Sequence, residues 1–306
     1  MQKIIPYIKI ARLDHWFKNI FCLPGIILAY FICENSFFYG DIHNIIIGFI
    51  AICAVASSNY TLNEILDAKT DLLHPVKFNR PIPSGLVNIS FAYLQYFLLA
   101  FLSFYFAYQL NLPFLITIIS LWIMGILYNA QPVRSKDIPY VDVLSESVNN
   151  PIRFCAGWFM VSTNHPPPIT LIIAYWMIGA FFMTLKRYAE LKFINDKEKA
   201  ICYRKSFSNM NENKLLSIAF LYACLFCLFY GLYISLFRIE LLLSFPFVSA
   251  MISIYFQIAL KENSPVQNPE YLYREKKLML SVFLVALSCL FCLFQDIPLL
   301  NNFLFN

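Results

Sequence analysis

Stretches of 18 or more apolar residues recur along the whole of this 306-residue chain, and they limit the fold more than any other feature. Each is long enough to cross a bilayer as a helix. They fall at 16–33, 43–65, 89–110, 112–130, 141–162, 169–191, 215–236, 239–260 and 278–296, which predicts nine spans. The composition agrees: 59% of residues are hydrophobic and 13% charged, where a soluble domain carries about 25% charged residues. The expected class is an all-α integral membrane protein, residues 1–306 forming one transmembrane domain. There is no internal repeat, no low-complexity segment and no soluble domain.

The net charge of +5 is not a nucleic-acid signal, because its placement follows the membrane. Lys3, Lys9 and Arg12 precede the first span, and Lys18 stands at its mouth. Lys69, Lys77 and Arg80 follow the second, and Arg134 and Lys136 follow the fourth. Six basic residues from Lys192 to Lys214 follow the sixth, and Lys261, Arg274, Lys276 and Lys277 follow the eighth. The opposite connections hold only Arg238. By the positive-inside rule the N-terminus is cytoplasmic, the C-terminus is outside and the number of spans is odd. The longer polar loops are then cytoplasmic, and any chemistry is expected at that face. The basic N-terminus does not read as a cleavable signal, since its apolar run is too long and lacks a small-residue cleavage site. The nine cysteines do not form a disulfide framework; Cys53, Cys155, Cys224, Cys227, Cys289 and Cys292 lie in apolar runs, where cysteine acts as a small hydrophobe.

Against this background the polar residues stand out. Asn63, Asp67 and Asp71 are spaced i, i+4, i+8 at the end of the second span, so a helix puts them on one face. Carboxylates there oppose the helix dipole and need a cation nearby. Mg²⁺ meets that need, since it binds through one or two carboxylates plus substrate phosphates. The proline-stiffened loop from His74 to Gly85 sets Lys77 and Arg80 beside them, where they can hold the same anion. Arg134, Lys136 and Asp137 sit in the next cytoplasmic turn. Asp142, Glu146, Asn149 or Asn150, and Arg153 make one polar face along the fifth span, broken by Asn150-Pro151, with Arg153 roughly 16 Å from Asp142. That face either lines a cavity or carries an internal Glu146–Arg153 ion pair. Lys186, Arg187 and Glu190 close the sixth span; Glu190 is a second metal or hydrogen-bonding group. Lys18 and Asn19 either anchor the interface or face a phosphate.

Together these motifs resemble the UbiA superfamily of intramembrane prenyltransferases. Asn63-x-x-x-Asp67-x-x-x-Asp71 is similar to its first aspartate-rich motif, Arg80-Pro81-Ile82-x-x-Gly85 to the segment after it, and Tyr128-Asn129-x-x-Pro132-x-Arg134-x-Lys136 to the turn before the fifth span. The second aspartate-rich motif is replaced by Lys186-Arg187-Tyr188-Ala189-Glu190-Leu191. With Lys18-Asn19, His74-Pro75-x-Lys77, Arg153-x-x-x-Gly157 and Arg204-Lys205-Ser206, that departure resembles the polyprenyl-phosphate phosphoribosyltransferase branch.

The resemblance implies nine helices around a central cavity open to the cytoplasm, Mg²⁺ as cofactor, and pyrophosphate release. It implies a polyprenyl lipid substrate and a phosphorylated small-molecule donor. Asn63, Asp67 and Asp71 would hold metal, with Glu190 completing its shell or orienting neighbours. Lys77, Arg80 and Arg134 would hold the diphosphate. Arg153, Lys186 and Arg187 would bind the second phosphate, and Lys18, Asn19, Tyr128, Lys136 and Asp142 would complete substrate binding. The surplus of cations suits two phosphorylated substrates. The alternatives are a prenyl transfer from prenyl diphosphate to an aromatic or other small acceptor, and, from another class, an ion-coupled transporter. The second predicts charges across the whole membrane and an inverted repeat, whereas the charges here gather in the cytoplasmic half.

Overall fold

The computed structural model describes residues 4–33, 39–72, 77–295 and 297, without the side chains of 39–41 and 77. All regular structure among them is helical. His74 and Pro75 lie outside the described residues, as does the side chain of Lys77. The chain packs as two units, 1–167 and 168–306.

In the first unit, helix α1 (Ile5–Ile10) leads through a 3-10 segment (Leu13–Cys22) into α2 (Leu23–Cys33). Helix α3 (Tyr39–Asp71) runs unbroken for 33 residues, about 50 Å at helical rise, against an apolar bilayer core of about 30 Å. Its polar end therefore projects past the apolar layer as part of the same helix. Helices α4 (Ile89–Leu110) and α5 (Leu112–Asn129) follow. Asn88 caps α4 by accepting from Ser90 N at 2.9 Å, and Asn111 ends α4 and caps α5 by accepting from Phe114 N at 2.8 Å.

Helix α4 shows why these helices pack as they do in lipid. Its buried positions are Ala92, Tyr96, Ala100, Ser103 and Ala107, mostly small, while Phe91, Leu94, Leu98, Phe101 and Tyr108 are exposed. Small residues let the α3 and α4 backbones approach, and large apolar ones meet acyl chains. Ser103 donates to Ala51 O at 2.7 Å and Ser58 to Tyr96 O at 3.0 Å, tying the two helices where neither oxygen could find water. Ile52, Val55, Phe114, Ile118, Leu121 and Met160 fill the core between α3, α5 and the last helix of the unit.

The expected span 141–162 is instead two short helices, α6 (Val141–Ser147) and α7 (Asn149–Val161). Pro151 has no N–H to give the preceding turn, so the helix cannot continue through it undisturbed. Neither piece alone is long enough to cross a membrane. Eight described segments are long and apolar enough, and the ninth expected span is the interrupted one at 141–162. Helix α7 packs tightly on α2. A Cβ at Gly157 would overlap the Cys22 carbonyl oxygen, and one at Gly25 would overlap that of Phe154.

In the second unit, α8 (Ile169–Ile194) packs along α10 (Glu212–Phe237), and α11 (Phe245–Ala259) along α12 (Lys276–Phe294). Asn195, in the left-handed region at φ 47°, ends α8. Asp196 then caps the short α9 (Lys197–Tyr203), accepting from Glu198 N at 3.0 Å and Lys199 N at 3.1 Å.

Candidate active site

The last two turns of α3 carry Asn63, Asp67 and Asp71, as their spacing predicts. What meets them comes from two loops. After α5 the chain turns through residues 130–137. Arg134 takes a left-handed backbone (φ 35°) there, and Ser135–Asp137 form one 3-10 turn. That turn brings two cations back to α3. Lys136 Nζ donates to Asp67 Oδ1 at 2.6 Å and Oδ2 at 2.8 Å, and Arg134 Nη2 donates to Asp67 Oδ1 at 2.9 Å. Arg134 also donates to Asp137 Oδ2 at 2.9 Å and to Asn129 O at 3.2 Å. Lys136 is buried, and burial pushes its ammonium below the ordinary lysine value against the pull of Asp67.

The second loop follows α3. Arg80 Nη1 donates to Asp71 Oδ2 at 2.5 Å. The loop is held by its own turns, ending at Gly85, whose φ of +74° suits glycine, and by Ile82 N donating to Glu64 Oε1 at 3.1 Å. Glu64 is buried on α3 beside the carboxylate stripe. It sits one residue past Asn63, off the i, i+4 face, so spacing does not single it out.

Asn129, the last residue of α5, joins the two sides. Its Oδ1 accepts from Asn63 Nδ2 at 2.8 Å and from Lys136 Nζ at 2.9 Å, while its Nδ2 donates to Gly125 O at 2.9 Å. It occurs in the sequence motif but carries no role there. Tyr128, one residue earlier, donates to Glu146 Oε2 at 3.1 Å, and Asp142 is fully buried in the first turn of α6.

Arg153 lies elsewhere in the same unit. The expected alternative of a Glu146–Arg153 ion pair is not what forms. Arg153 Nε donates to Asn19 Oδ1 at 3.1 Å and Nη1 to Asn149 O at 3.4 Å, and no carboxylate among the described residues pairs with it. Asn19 is itself buried and donates to Cys53 Sγ at 3.2 Å. Tight α2–α7 packing at Gly25 and Gly157 holds this contact together. Lys18 is half-buried in the same 3-10 segment.

Within the second unit, Arg187 is fully buried on α8 and bonds to Glu190 at 3.3 and 3.1 Å. Arg204, just after α9, approaches Glu190 Oε2 at 3.9 Å. Glu190 is thus bracketed by two guanidiniums, and Arg204, which the sequence marks only as part of the Arg204-Lys205-Ser206 motif, joins Arg187 and Glu190. Lys186 is half-buried one residue before Arg187. Among the described residues no three His, Cys, Asp or Glu side chains converge as a metal-binding cluster.

A membrane bundle with paired carboxylates at one helix end, met by cations from the following loops, defines a class that the comparisons identify. Residues 21–283 match the model of the UbiA prenyltransferase family, and the chain belongs to that family of membrane enzymes. Its similar relatives include proteins named decaprenyl-phosphate phosphoribosyltransferase. The one from Mycolicibacterium smegmatis is 28% identical over 228 residues, covering 74% of this chain and 69% of that protein. The one from Corynebacterium glutamicum is 28% identical over 190 residues, covering 60% of this chain and 54% of that protein. Among solved structures, a UbiA homolog from Archaeoglobus fulgidus bound to GPP and Mg²⁺ has the same fold, with a TM-score of 0.68 at 18% identity over 90% of this chain and 98% of that one. Family membership sets aside the transporter alternative.

Proposed function

We propose that this enzyme transfers phosphoribosyl from phosphoribosyl pyrophosphate to a polyprenyl phosphate, releasing pyrophosphate. The observation that carries the reading is the set of cations on the α3 carboxylates: Lys136 and Arg134 on Asp67, and Arg80 on Asp71. These are groups that a diphosphate can also recruit. The names of the relatives support a polyprenyl phosphate as acceptor and phosphoribosyl as the group transferred.

The donor set also fits a divalent metal. Asn63, Asp67 and Asp71 offer hard oxygens one helical turn apart, the chemistry Mg²⁺ prefers. They would hold it, and when bound it neutralises charge on the departing diphosphate. In the transfer the ribose C1–O bond to pyrophosphate breaks, and a lipid phosphate oxygen forms the new bond to C1. That oxygen is already anionic, so no base is needed. Arg80, Arg134 and Lys136 stabilise the leaving charge as it develops. Arg153, buried with only neutral oxygens as partners, supplies an uncompensated positive charge for the acceptor phosphate. Asn19 orients it. Lys186 and Arg187, with Arg204, serve anion binding in the second unit. The polyprenyl tail leaves between apolar helices.

The basic connections support a cytoplasmic N-terminus and a cytoplasmic site. The α6–α7 pair would supply the ninth crossing, giving the single domain of residues 1–306 an odd count. Purified protein given labelled phosphoribosyl pyrophosphate, polyprenyl phosphate and Mg²⁺ should make a labelled lipid and lose that activity with chelator. Product only from prenyl diphosphate plus aromatic acceptors would overturn the assignment in favour of prenyl transfer.

A further inference from the structure

Asn129 is almost completely buried where α5 ends, and its three hydrogen bonds leave one orientation for its amide. Two donors, Asn63 Nδ2 and Lys136 Nζ, converge on Oδ1, so that end must be the oxygen. The opposite end faces a backbone carbonyl, Gly125 O, so it must be the nitrogen. The consequence passes to Asn63. Because Asn63 spends its nitrogen on Asn129, its oxygen is the end with no protein donor among the described residues.

That orientation matters for an asparagine one turn from Asp67. An amide offers a cation only its oxygen, and its N–H₂ end repels it. An unconstrained asparagine presents either end. We propose that Asn129 is a positioning residue of the metal site: it fixes Asn63 so that oxygen, not nitrogen, is available to a divalent cation, and it steadies Lys136 over Asp67. This rests on the metal reading above. Asn129 touches neither metal nor substrate; it acts through Asn63. Partners of this kind typically account for about 10–100-fold in metal affinity.

The test uses full-length protein in detergent and Mn²⁺ alone, with free Mn²⁺ read by electron paramagnetic resonance. Asn129→Leu keeps the branched shape and the number of heavy atoms and removes the acceptor. It should weaken Mn²⁺ binding about 10–100-fold. Asn129→Asp keeps oxygens for both donors while giving up the Nδ2 bond to Gly125 O, and should bind Mn²⁺ more tightly than Asn129→Leu. It keeps the comparison usable if the leucine variant does not purify. The decisive arm is Asn63→Asp, whose carboxylate presents oxygen at both ends and so needs no orienting partner. Beside Asn129, Asn63 already presents its oxygen and the change adds only charge; in the Asn129→Leu background it also restores the oxygen. Asn63→Asp should therefore raise Mn²⁺ affinity at least about 10-fold more in the Asn129→Leu background than in wild type. A merely structural role for Asn129 gives the same factor in both backgrounds, and that result overturns the inference. Wild type and Asn129→Leu binding Mn²⁺ equally also overturns it and leaves the metal reading intact. A wild type that takes up no Mn²⁺ removes the metal reading and the inference together.

Discussion

Replacing Asp67 with Asn should do more than remove the metal ligand proposed above. Asp67 is 16% exposed and Lys136 10%, with N···O distances of 2.6 and 2.8 Å, and Arg134 adds a third contact at 2.9 Å. At about 2.7 Å and an effective dielectric near 20 the gross attraction of one such pair is about 6 kcal/mol, most of it offset by desolvation. Removing one partner leaves buried cations uncompensated, at a cost of about 3–5 kcal/mol. In a chain of this size that corresponds to a fall of roughly 10 °C in melting temperature. Lys136→Met in the same background removes the stranded charge and should recover part of the loss, giving a coupling of about 2 kcal/mol or more in the cycle. Scanning fluorimetry of wild type, both single variants and the double variant in one detergent measures this. An Asp67→Asn protein melting within about 2 °C of wild type, or a cycle that is additive, refutes the reasoning. The double variant has a second use. If it is stable but inactive, the lost activity belongs to metal and phosphate chemistry rather than to folding.

Gly157→Ala should destabilise by about 2–3 kcal/mol, because the new Cβ overlaps the Cys22 carbonyl and a backbone atom cannot move aside as a side chain can. An unchanged melting temperature would show that α2 and α7 do not pack as described. Arg153→Met should raise KM for polyprenyl phosphate at least about tenfold with little change in KM for phosphoribosyl pyrophosphate. Stability should hold or rise, since an apolar chain replaces a buried guanidinium with only neutral partners. Equal effects on both substrates would remove its acceptor role. Backbone donors at Lys199 and Glu198 hold the Asp196 carboxyl below the usual carboxylate range. A depressed folded value means that the stability it contributes is present above the ordinary aspartate value and lost as pH falls through the folded one. Hydrogen exchange in α9 should then separate wild type from Asp196→Ala between pH 5 and 8, with the difference vanishing only in more acid solution.

Much of the frame was legible because hydropathy reports a strong physical constraint. A run of 18 apolar residues has few fates, and α4, α5, α8, α10 and α12 all lie where such runs occur. The carboxylate stripe was legible for a similar reason, since i, i+4 spacing on one helix is local geometry. The α6–α7 break was only half legible. Asn149-Asn150-Pro151 marks an interruption, but hydropathy reads across it. Arg153 shows the limit most clearly. Sequence offered Glu146, seven residues away, as its partner; the fold gives Asn19, which is 134 positions away and brought close by Gly25 and Gly157. Likewise, Lys136 and Arg134 reach Asp67 across 69 and 67 positions, through a left-handed turn at an arginine, a residue that carries no turn signal.

What these long-range contacts share is charge balance. Asp67, Asp71 and Asp137 pair with Lys136, Arg134 and Arg80, three ion-paired carboxylates against three cations at the end of α3, with Glu64 beside them held by the Ile82 N–H. Neither set could be buried alone at acceptable cost, because each ion left unpaired in such a place loses several kcal/mol of hydration. The acidic residues thus make it possible to gather cations, and the cations make it possible to gather acids. On the proposed reading, a diphosphate with a divalent cation would bring the same two kinds of charge in one ligand, so that Arg80, Arg134 and Lys136 would pass from carboxylate to phosphate while the carboxylates turned to the cation, leaving no ion bare. The turn at Arg134 and the loop at Arg80 set these carboxylates and cations within reach of one another.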